Sequence, residues 1–259
     1  MTETNASQVK VGKELYGYQK DALHEIFNRF ETAPPDYHLL YQLPTGGGKT
    51  VIFSEIVRRY IETFKKKVLV LTHRIELSKQ TSRMLDEFGV NNKIINSTAQ
   101  LDDQDDFNCF VAMVETLKNR LTDEKLDISD IGLVIVDEAH YNSFTKIFKF
   151  FDDAFVLGVT ATPLSSNIKL PMYENYQELF VGEPIHHLIE SGYLAQANMY
   201  SYNVGLTSLE VGANGDYTVK SSEDLYMNTD MLSKLVGAYE ETAKGKKTLI
   251  FNNGINTSI

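Results

Sequence analysis

Hydrophobic residues recur along this chain in two alternating patterns. Short apolar runs rich in β-branched residues predict strands buried on both faces of a sheet, and Ile131–Val136 (IGLVIV) is typical of them. Between the runs lie segments whose apolar residues recur at helical spacing, which predicts amphipathic helices. Alternation of the two patterns predicts an α/β fold with a parallel sheet and helices on both of its faces.

The alternation extends from Tyr18 to Val159 and becomes less regular beyond Pro163. The helices predicted in the regular part are Tyr18–Glu31, Thr50–Phe64, Glu76–Phe88, Val114–Leu121 and Phe144–Phe151. The strands predicted there are Tyr37–Gln42, Val68–Thr72, Lys93–Asn96, Phe107–Met113, Ile131–Val136 and Phe155–Val159. Further on we expect helices Pro184–Leu194 and Asp230–Lys244 and strands Met199–Val204, Tyr217–Lys220 and Lys247–Phe251.

The run Gln42–Thr50 (QLPTGGGKT) has the composition of a phosphate-binding loop. Its consecutive glycines let the backbone turn tightly and point N–H groups inward. A lysine for the outer phosphates and a hydroxyl ligand for Mg²⁺ follow in the required order. The loop lies between a predicted strand and a predicted helix, whose N-terminus favours anions. The predicted ATP contacts are Pro44, Thr45, Gly46, Gly47, Gly48, Lys49 and Thr50. The usual pattern opens with glycine, and that position is Leu43 here.

A second motif, Asp137-Glu138-Ala139-His140, follows the apolar run Ile131–Val136. A carboxylate at the carboxyl end of a parallel strand lies where ligands sit in open α/β sheets. We therefore predict that Asp137, with Thr50, holds Mg²⁺ and that Glu138 orients or deprotonates the attacking water. Alone, the first motif could be a flexible glycine loop and the second a solvated strand end. Together they predict an ATPase that uses ATP and Mg²⁺.

Composition narrows the class of protein. The chain has 259 residues, 42% of them hydrophobic, which is enough for a folded core. No apolar stretch approaches the ~20 residues of a membrane span, so we expect no membrane partner. The lone Cys109 permits no internal disulfide and fits a cytoplasmic protein. A net charge of −10 argues against bulk electrostatic coating of nucleic acid but leaves room for a narrow binding track.

In these motifs and their order, residues 13–252 resemble the N-terminal motor lobe of superfamily 2 helicases and translocases, of the type related to restriction-enzyme motor subunits and repair helicases. Asp137–His140 matches that superfamily's DEAH motif. The resemblance implies a RecA-like P-loop NTPase lobe followed by the start of a second lobe. It also implies ATP and Mg²⁺ as ligands and nucleic acid as a partner.

Roles for individual residues follow from the same resemblance. Gln19, in Leu15–Gln19 (LYGYQ), matches the glutamine that reads the adenine edge, although Tyr16 stands where the family usually has arginine. His73 and Arg74 match a motif that touches the nucleic-acid backbone, and so does Thr116.

The coupling of ATP state to strand grip is assigned by resemblance to His140 and to Thr160, Ala161 and Thr162, within Gly158–Pro163 (GVTATP). DNA is favoured over RNA because Thr-Ala-Thr-Pro is the form found in the restriction and repair branches.

Three domains are expected from the resemblance. Residues 1–196 form the N-terminal RecA-like ATP-binding domain, 197–246 an extension or connector, and 247–259 the truncated start of a second RecA-like domain. That second lobe carries the arginines that stabilise the transferring phosphoryl group, so we expect the isolated chain to be poorly active.

The favoured function is an ATP-dependent helicase or translocase motor acting on DNA. Two alternatives remain open: a restriction-type translocase subunit that does not unwind, and a non-enzymatic nucleotide-binding fragment.

Overall fold

The computed structural model describes residues 13–96, 104–122, 130–141, 144–165, 169–203, 205–212 and 215–251. The chain divides into two compact units, residues 1–196 and 197–259, and each is described by itself.

The described part of the first unit contains a seven-stranded, fully parallel sheet in the order β3-β4-β2-β5-β6-β1-β7. Its strands are β1 (His38–Gln42), β2 (Lys67–Thr72), β3 (Asn92–Ile95), β4 (Cys109–Met113), β5 (Ile131–Asp137), β6 (Phe155–Thr160) and β7 (Glu178–Val181). The first six were predicted from the apolar runs. Every residue of the central β5 is buried, as expected of a strand covered on both faces.

The described α-helices of this unit are α1 (Gly17–Thr32), α2 (Lys49–Phe64), α3 (Ile75–Glu87), α4 (Val114–Thr122), α5 (Thr145–Phe148) and α6 (Ile185–Glu190). The first five cover the two faces of the sheet. One buried apolar cluster joins the sheet to α1, α2 and α3, and a second joins its other face to α4 and α5. The predicted α/β fold with two helical layers is therefore confirmed, with Cys109 fully buried in the first cluster.

The edge strand β7 was not predicted from the sequence. It pairs with β1, and Glu178 at its start accepts hydrogen bonds from Arg29 of α1 (2.8 Å) and from the Tyr37 hydroxyl (3.1 Å). The Arg29 guanidinium also lies over the Phe180 ring, 5.1 Å from its centroid. The Arg29 hydrogen bond holds the pKa of Glu178 below its usual value. Side chains distant in sequence thus attach this strand, and local periodicity does not report such contacts.

The predicted helix Pro184–Leu194 is shorter in the structure. It is α6, whose last residue is Glu190, and Gly192 beyond it has a φ of 74°. A left-handed residue at this point ends the helix, since an α-helix cannot continue through it.

The second unit contains two described helices, α7 (Val219–Tyr226) and α8 (Thr229–Thr242), and the second corresponds to a predicted helix. The three strands predicted in this region were wrong. Within Met199–Val204, Val204 lies outside the described residues and the rest has no regular secondary structure. Lys247–Phe251 is likewise irregular.

The segment Tyr217–Lys220, the third strand predicted wrongly, contains the start of a helix instead. Tyr217 makes an isolated antiparallel bridge to Val211, and Thr218 caps α7 by accepting a hydrogen bond from Ser221 N (3.3 Å). A threonine cap stabilises the helix start locally, whereas a strand needs a partner that apolar spacing does not specify. None of the described helices combines the length and apolar composition needed to cross a membrane.

Candidate nucleotide-binding site

The predicted site residues lie at one edge of the sheet, because all its strands are parallel and their carboxyl ends meet there. Five neighbouring strands lead to these residues. In sheet order, they are Thr116 after β4, His73–Arg74 after β2, Glu138–His140 after β5, Ala161–Thr162 after β6 and Pro44–Thr50 after β1. Asp137 and Thr160 are the last residues of their own strands. The residues predicted to contact nucleic acid and those predicted to contact ATP therefore lie side by side, with Asp137–His140 between them.

The three glycines of the loop are each required by the local geometry. Gly46 and Gly48 have φ values of 84° and 83°, which favour glycine. A Cβ on Gly46 would lie 2.8 Å from Leu194, and one on Gly48 would lie 2.5 Å from Nε2 of Gln19. A Cβ on Gly47 would lie 2.9 Å from Leu43. At these three positions the neighbouring residues pack directly against the loop backbone, in space that a side chain would otherwise occupy.

The loop leads directly into α2. Gly48 occupies the N-cap position without a side-chain cap, and its carbonyl accepts the first helical hydrogen bond, from Ile52 N (3.0 Å). The first amides of a helix have no intrahelical partner, and together with the helix dipole they favour an anion. Lys49 and Thr50 begin the helix and are half-buried at this end.

Leu43 explains why the loop tolerates a departure from the usual opening glycine. It continues directly from β1, its side chain is fully buried in the first apolar cluster, and its N–H donates to the Thr160 carbonyl (3.0 Å). Strand-like hydrogen bonding needs no glycine, so this position acts as core. It also ties the loop to the end of β6.

Gln19 is held beneath the loop. Its Nε2 donates to the Gly47 carbonyl (3.2 Å), and its Oε1 accepts from Tyr16 N (3.0 Å). The neighbouring Tyr18 hydroxyl also donates to the Gly47 carbonyl (2.8 Å). Gln19 is 3% exposed. The predicted adenine-reading residue is therefore packed directly against the phosphate loop.

Two residues beyond α6 also reach this region and were missed by sequence reasoning. Leu194 lies over Gly46, and the Tyr193 ring contacts those of Tyr16 and Tyr18 at centroid distances of 4.7 and 5.1 Å. The segment Gly192–Leu194 carries an aromatic and an apolar residue after a glycine, but only tertiary packing shows where they go.

Asp137 is a buried carboxylate, 8% exposed, at the end of β5. Burial and the nearby Glu138 charge raise the pKa of Asp137 to about 6, while Lys49 and a hydrogen bond from Glu138 N (3.0 Å) act in the opposite direction. Lys49 is thus close enough to influence this carboxylate although it comes from a different motif.

Glu138 has a φ of 52°, an uncommon value for a residue with a side chain. The turn is fixed by Ala139 N donating to the Val159 carbonyl (3.1 Å) and by Tyr141 N donating to the Glu138 carbonyl (3.1 Å). Such backbone strain is found preferentially at functional sites, where the surrounding structure maintains it.

His140 joins this turn to the end of β6. Its Nδ1 is 3.0 Å from the Thr160 hydroxyl and 3.5 Å from Glu138 Oε2. The Thr160 hydroxyl in turn donates to the Thr162 carbonyl (3.1 Å) and accepts from Thr162 N (3.1 Å). The residues predicted to couple ATP state to strand grip therefore form one hydrogen-bonded group, with Ala161 inside its turn.

The residues predicted to contact nucleic acid differ in their exposure and in their contacts. Arg74 is exposed at the N-cap of α3, and its carbonyl accepts from Ser78 N (3.1 Å). Thr116 is half-buried in the first turn of α4. His73 packs its ring on Tyr141, with centroids 4.2 Å apart. Tyr141 was also missed by sequence reasoning, although its position directly after His140 was a signal.

A divalent cation fits the donor set at this edge. Asp137 and Thr50 are hard oxygen donors of the kind that Mg²⁺ prefers. The buried Asp137 carboxylate has a raised pKa, which indicates negative charge that the surrounding protein offsets incompletely. Among the described residues, no cluster of three or more His, Cys, Asp and Glu side chains is arranged around a common metal position.

Comparison with known proteins identifies the family of this chain. The family described as "Type III restriction enzyme, res subunit" matches residues 12–165. The chain is 26% identical over 291 residues to the "Putative ATP-dependent helicase IRC3" of Saccharomyces cerevisiae, covering 96% of this chain and 42% of that protein. It is 29% identical over 223 residues to the "51.5 kDa protein" of a Lactococcus phage (isolate 7-9), covering 85% of this chain and 44% of that protein. The chain thus spans less than half the length of these relatives.

Solved structures share the fold. The type ISP restriction-modification enzyme LlaGI, solved with a DNA substrate mimic, superposes with a TM-score of 0.56 at 16% identity, over 95% of this chain and 26% of that chain. The UvsW helicase from bacteriophage T4 superposes with a TM-score of 0.52 at 22% identity, over 67% of this chain and 64% of that chain. With more than half of its residues matched by one family, the chain belongs to the type III restriction enzyme res-subunit family, and it has the fold of the RecA-like N-terminal lobe of superfamily 2 helicases and translocases.

Proposed function

We propose that this chain binds Mg²⁺-ATP and a DNA backbone as the first lobe of an ATP-dependent helicase or translocase. The observation that carries the proposal is the glycine loop at the start of α2, whose neighbours leave room for backbone alone, together with the buried Asp137 at the end of β5. A cradle of amides beside a buried carboxylate is suited to a phosphate chain with a divalent cation.

The phosphates would lie against the N–H groups of Gly46–Thr50. Lys49 would neutralise the outer phosphates, and Gln19, packed under Gly47, would contact the adenine edge. Mg²⁺ would be held by Thr50 and by Asp137, and it would supply charge neutralisation on the phosphate oxygens. Pro44 and Thr45 complete the wall of the loop.

Hydrolysis joins a water oxygen to the γ-phosphorus and breaks the bond to the β–γ bridging oxygen, giving ADP and phosphate. Glu138 would orient that water and accept its proton. His140 would report the state of the γ-phosphate to Thr160 through their 3.0 Å contact. In the family resembled, arginines of a second lobe stabilise the transition state, so a chain acting without one is expected to turn over ATP at below about 1 s⁻¹.

DNA would bind at the ends of β2 and β4, the neighbouring strands followed by His73–Arg74 and Thr116. The exposed Arg74 would contact a phosphate directly. Several relatives, including proteins named "ATP-dependent DNA helicase MPH1", act on DNA by their names, which favours DNA over RNA. A net charge of −10 means that such contacts must be local and salt-sensitive.

Equilibrium binding of a fluorescent, non-hydrolysable ATP analogue with Mg²⁺ tests the proposal. Lys49→Ala should weaken binding by at least about tenfold, since it removes the cation facing the outer phosphates. Lys79→Ala removes an exposed lysine from α3 and is the matched control. It should change the affinity by less than about twofold, as expected of a remote surface charge.

Two results would contradict the proposal. The folded wild-type chain could fail to bind the analogue, or the two lysine variants could bind equally well. In either case the glycine loop would be a structural turn, and the roles given to Asp137 and Glu138 would lose their basis.

The restriction-type translocase without unwinding remains the second candidate, and the family match to a res subunit favours it specifically. A protein containing this lobe together with its second lobe can be tested for displacement of one strand of a duplex and, separately, for displacement of a third strand from a triplex. Triplex displacement without duplex unwinding would select the translocase. Absence of ATP turnover in that protein would instead select the non-enzymatic alternative.

A further inference from the structure

Three aromatic rings connect the end of β2 to the turn that carries Glu138. The His73 ring stacks on Tyr141 with an interplanar angle of 30°, and the Tyr141 ring contacts that of His140 with centroids 4.4 Å apart. His140 then reaches the Thr160 hydroxyl at 3.0 Å. The contacts are continuous from the predicted nucleic-acid edge to the predicted catalytic turn.

Hydrogen bonds hold the backbone at both ends of this series. On one side, the Thr72 and Ser78 hydroxyls are 2.6 Å apart, and both lie within 3.3 Å of the Arg74 carbonyl, which fixes the start of α3. On the other side, Tyr141 N donates to the Glu138 carbonyl (3.1 Å), which closes the turn. His73 is therefore joined directly to the start of α3, and Tyr141 directly to the turn that carries Glu138.

His73, the first ring of the series, has an unpaired polar atom among the described residues. Nδ1 of His73 is buried and has no hydrogen-bond partner among the described residues. A buried polar atom left without a partner costs about 1–3 kcal/mol, and an arrangement that exposed or paired this atom would remove that cost. The His73 ring is thus held by its stack on Tyr141, with no described hydrogen bond at Nδ1.

We propose that Tyr141 is a positioning residue that transmits occupancy of the nucleic-acid edge at His73–Arg74 to His140 and Glu138. The proposal rests on the function proposed above and adds a residue to it. Stacking uses the ring of Tyr141, so Tyr141→Phe preserves the coupling. Tyr141→Leu fills much of the same space without a ring and removes it.

Tyr141 also borders the second apolar cluster, so a purely structural role is the competing explanation. Phe150, another partly buried aromatic residue at the border of that cluster, provides the control. If packing alone matters, Tyr141→Leu and Phe150→Leu will alter the chain in the same way. If the ring series transmits occupancy, the Tyr141 variant alone will lose the coupling.

The decisive measurement is the dissociation constant of the fluorescent ATP analogue with Mg²⁺, with and without saturating oligothymidine, for the 259-residue chain. Two coupled sites change each other's affinity by the same factor, commonly about 5- to 150-fold. We expect oligothymidine to change the affinity for the analogue by at least about fivefold in the wild type, Tyr141→Phe and Phe150→Leu. In Tyr141→Leu this factor should be near one, although the variant still binds each ligand alone.

A second readout follows the His73 imidazole by NMR. Adding the analogue and Mg²⁺ without DNA should shift its ring signals in the wild type and in Tyr141→Phe, and leave them unchanged in Tyr141→Leu. A structural role alone would not move this signal.

The outcomes separate this inference from the function on which it rests. The role of Tyr141 is overturned if the wild type binds both ligands but neither changes the affinity for the other. It is also overturned if Tyr141→Leu keeps the coupling factor of the wild type. Both results leave the proposed function intact. A folded wild type that binds no nucleotide overturns both.

Discussion

Asp137 is a single residue of the candidate site whose buried charge lowers the stability of the folded chain. The carboxyl group is buried at the end of β5, and its pKa is raised from 3.8 to about 6. Between those two values the folded chain binds more protons than the unfolded chain. Stability therefore falls as the pH rises through this window and stays lower at neutral pH.

Replacing this carboxyl group should stabilise the ligand-free chain. The shift from 3.8 to about 6 corresponds to at most about 3 kcal/mol, so we expect Asp137→Asn to be about 1–3 kcal/mol more stable near pH 7. Below about pH 3 the carboxyl group is protonated in both the folded and the unfolded chain, so the gain should vanish. Urea unfolding followed by circular dichroism at the two pH values measures the difference.

The exposed Asp21→Asn on α1 is the control and should change stability little at either pH. With Mg²⁺ and the ATP analogue added, the wild type should become more stable than Asp137→Asn, since the wild type gains the larger stabilisation from binding. An Asp137→Asn variant that is less stable than the wild type at both pH values would show that the carboxylate supports the fold.

At the scale of elements, two helix ends use glycine for different reasons. Gly48 precedes α2 and Gly89 follows α3, with φ values of 83° and 73°. Around Gly89 an added Cβ would meet nothing within 4 Å, whereas at Gly48 it would meet Gln19 at 2.5 Å. Both positions need a left-handed backbone, but Gly48 also needs space.

Alanine at the two positions should separate these requirements. Gly89→Ala should cost about 1–2 kcal/mol, the conformational penalty alone, and leave the affinity for the ATP analogue unchanged. Gly48→Ala should cost more because it displaces Gln19, and it should weaken nucleotide binding by at least about tenfold. Thermal unfolding and analogue binding on both variants provide the measurement. Equal losses of affinity would mean that the loop responds to general destabilisation.

The elements also differ in how well the sequence predicts them. Strand β5 and helix α2 contain enough apolar residues in a regular pattern that burial decides their conformation. Strand β7 alternates half-buried and exposed side chains and starts with a charged residue, and it is held by Arg29 and Tyr37 from distant parts of the chain. Periodicity detects the first kind of element and misses the second.

At the scale of the whole molecule, the two units differ in how much they bury. Both apolar clusters and all seven described strands lie within residues 1–196. In the described part of 197–259, the buried side chains are those of Ser221, Ser222 and Met231. A segment with so little buried apolar surface cannot offset the entropy of ordering its backbone.

Residues 1–196 should therefore fold as an independent domain. We expect a chain ending at Gln196 to unfold cooperatively, within a few degrees of the full chain, and to bind the ATP analogue with an affinity within about threefold. Residues 197–259 alone should show no cooperative transition by circular dichroism. A 1–196 chain that melts without cooperativity would mean that the second unit is needed for the fold of the first.

The sequence by itself determined the α/β class, six of the seven described strands (β1 to β6) and the edge of the sheet at which the candidate site residues meet. Glycines before a lysine, and a carboxylate after an apolar run, are local patterns whose physical meaning depends little on distant contacts. Their agreement with a parallel sheet was sufficient to bring Lys49 and Asp137 to the same edge.

Tertiary structure alone decided the contacts between segments that are far apart in the chain. The stack of His73 on Tyr141, the attachment of β7 by Arg29 and the position of Leu194 over Gly46 each join residues separated by more than sixty positions. Such contacts follow from the packing of side chains in three dimensions, and a single sequence contains no local pattern that specifies them.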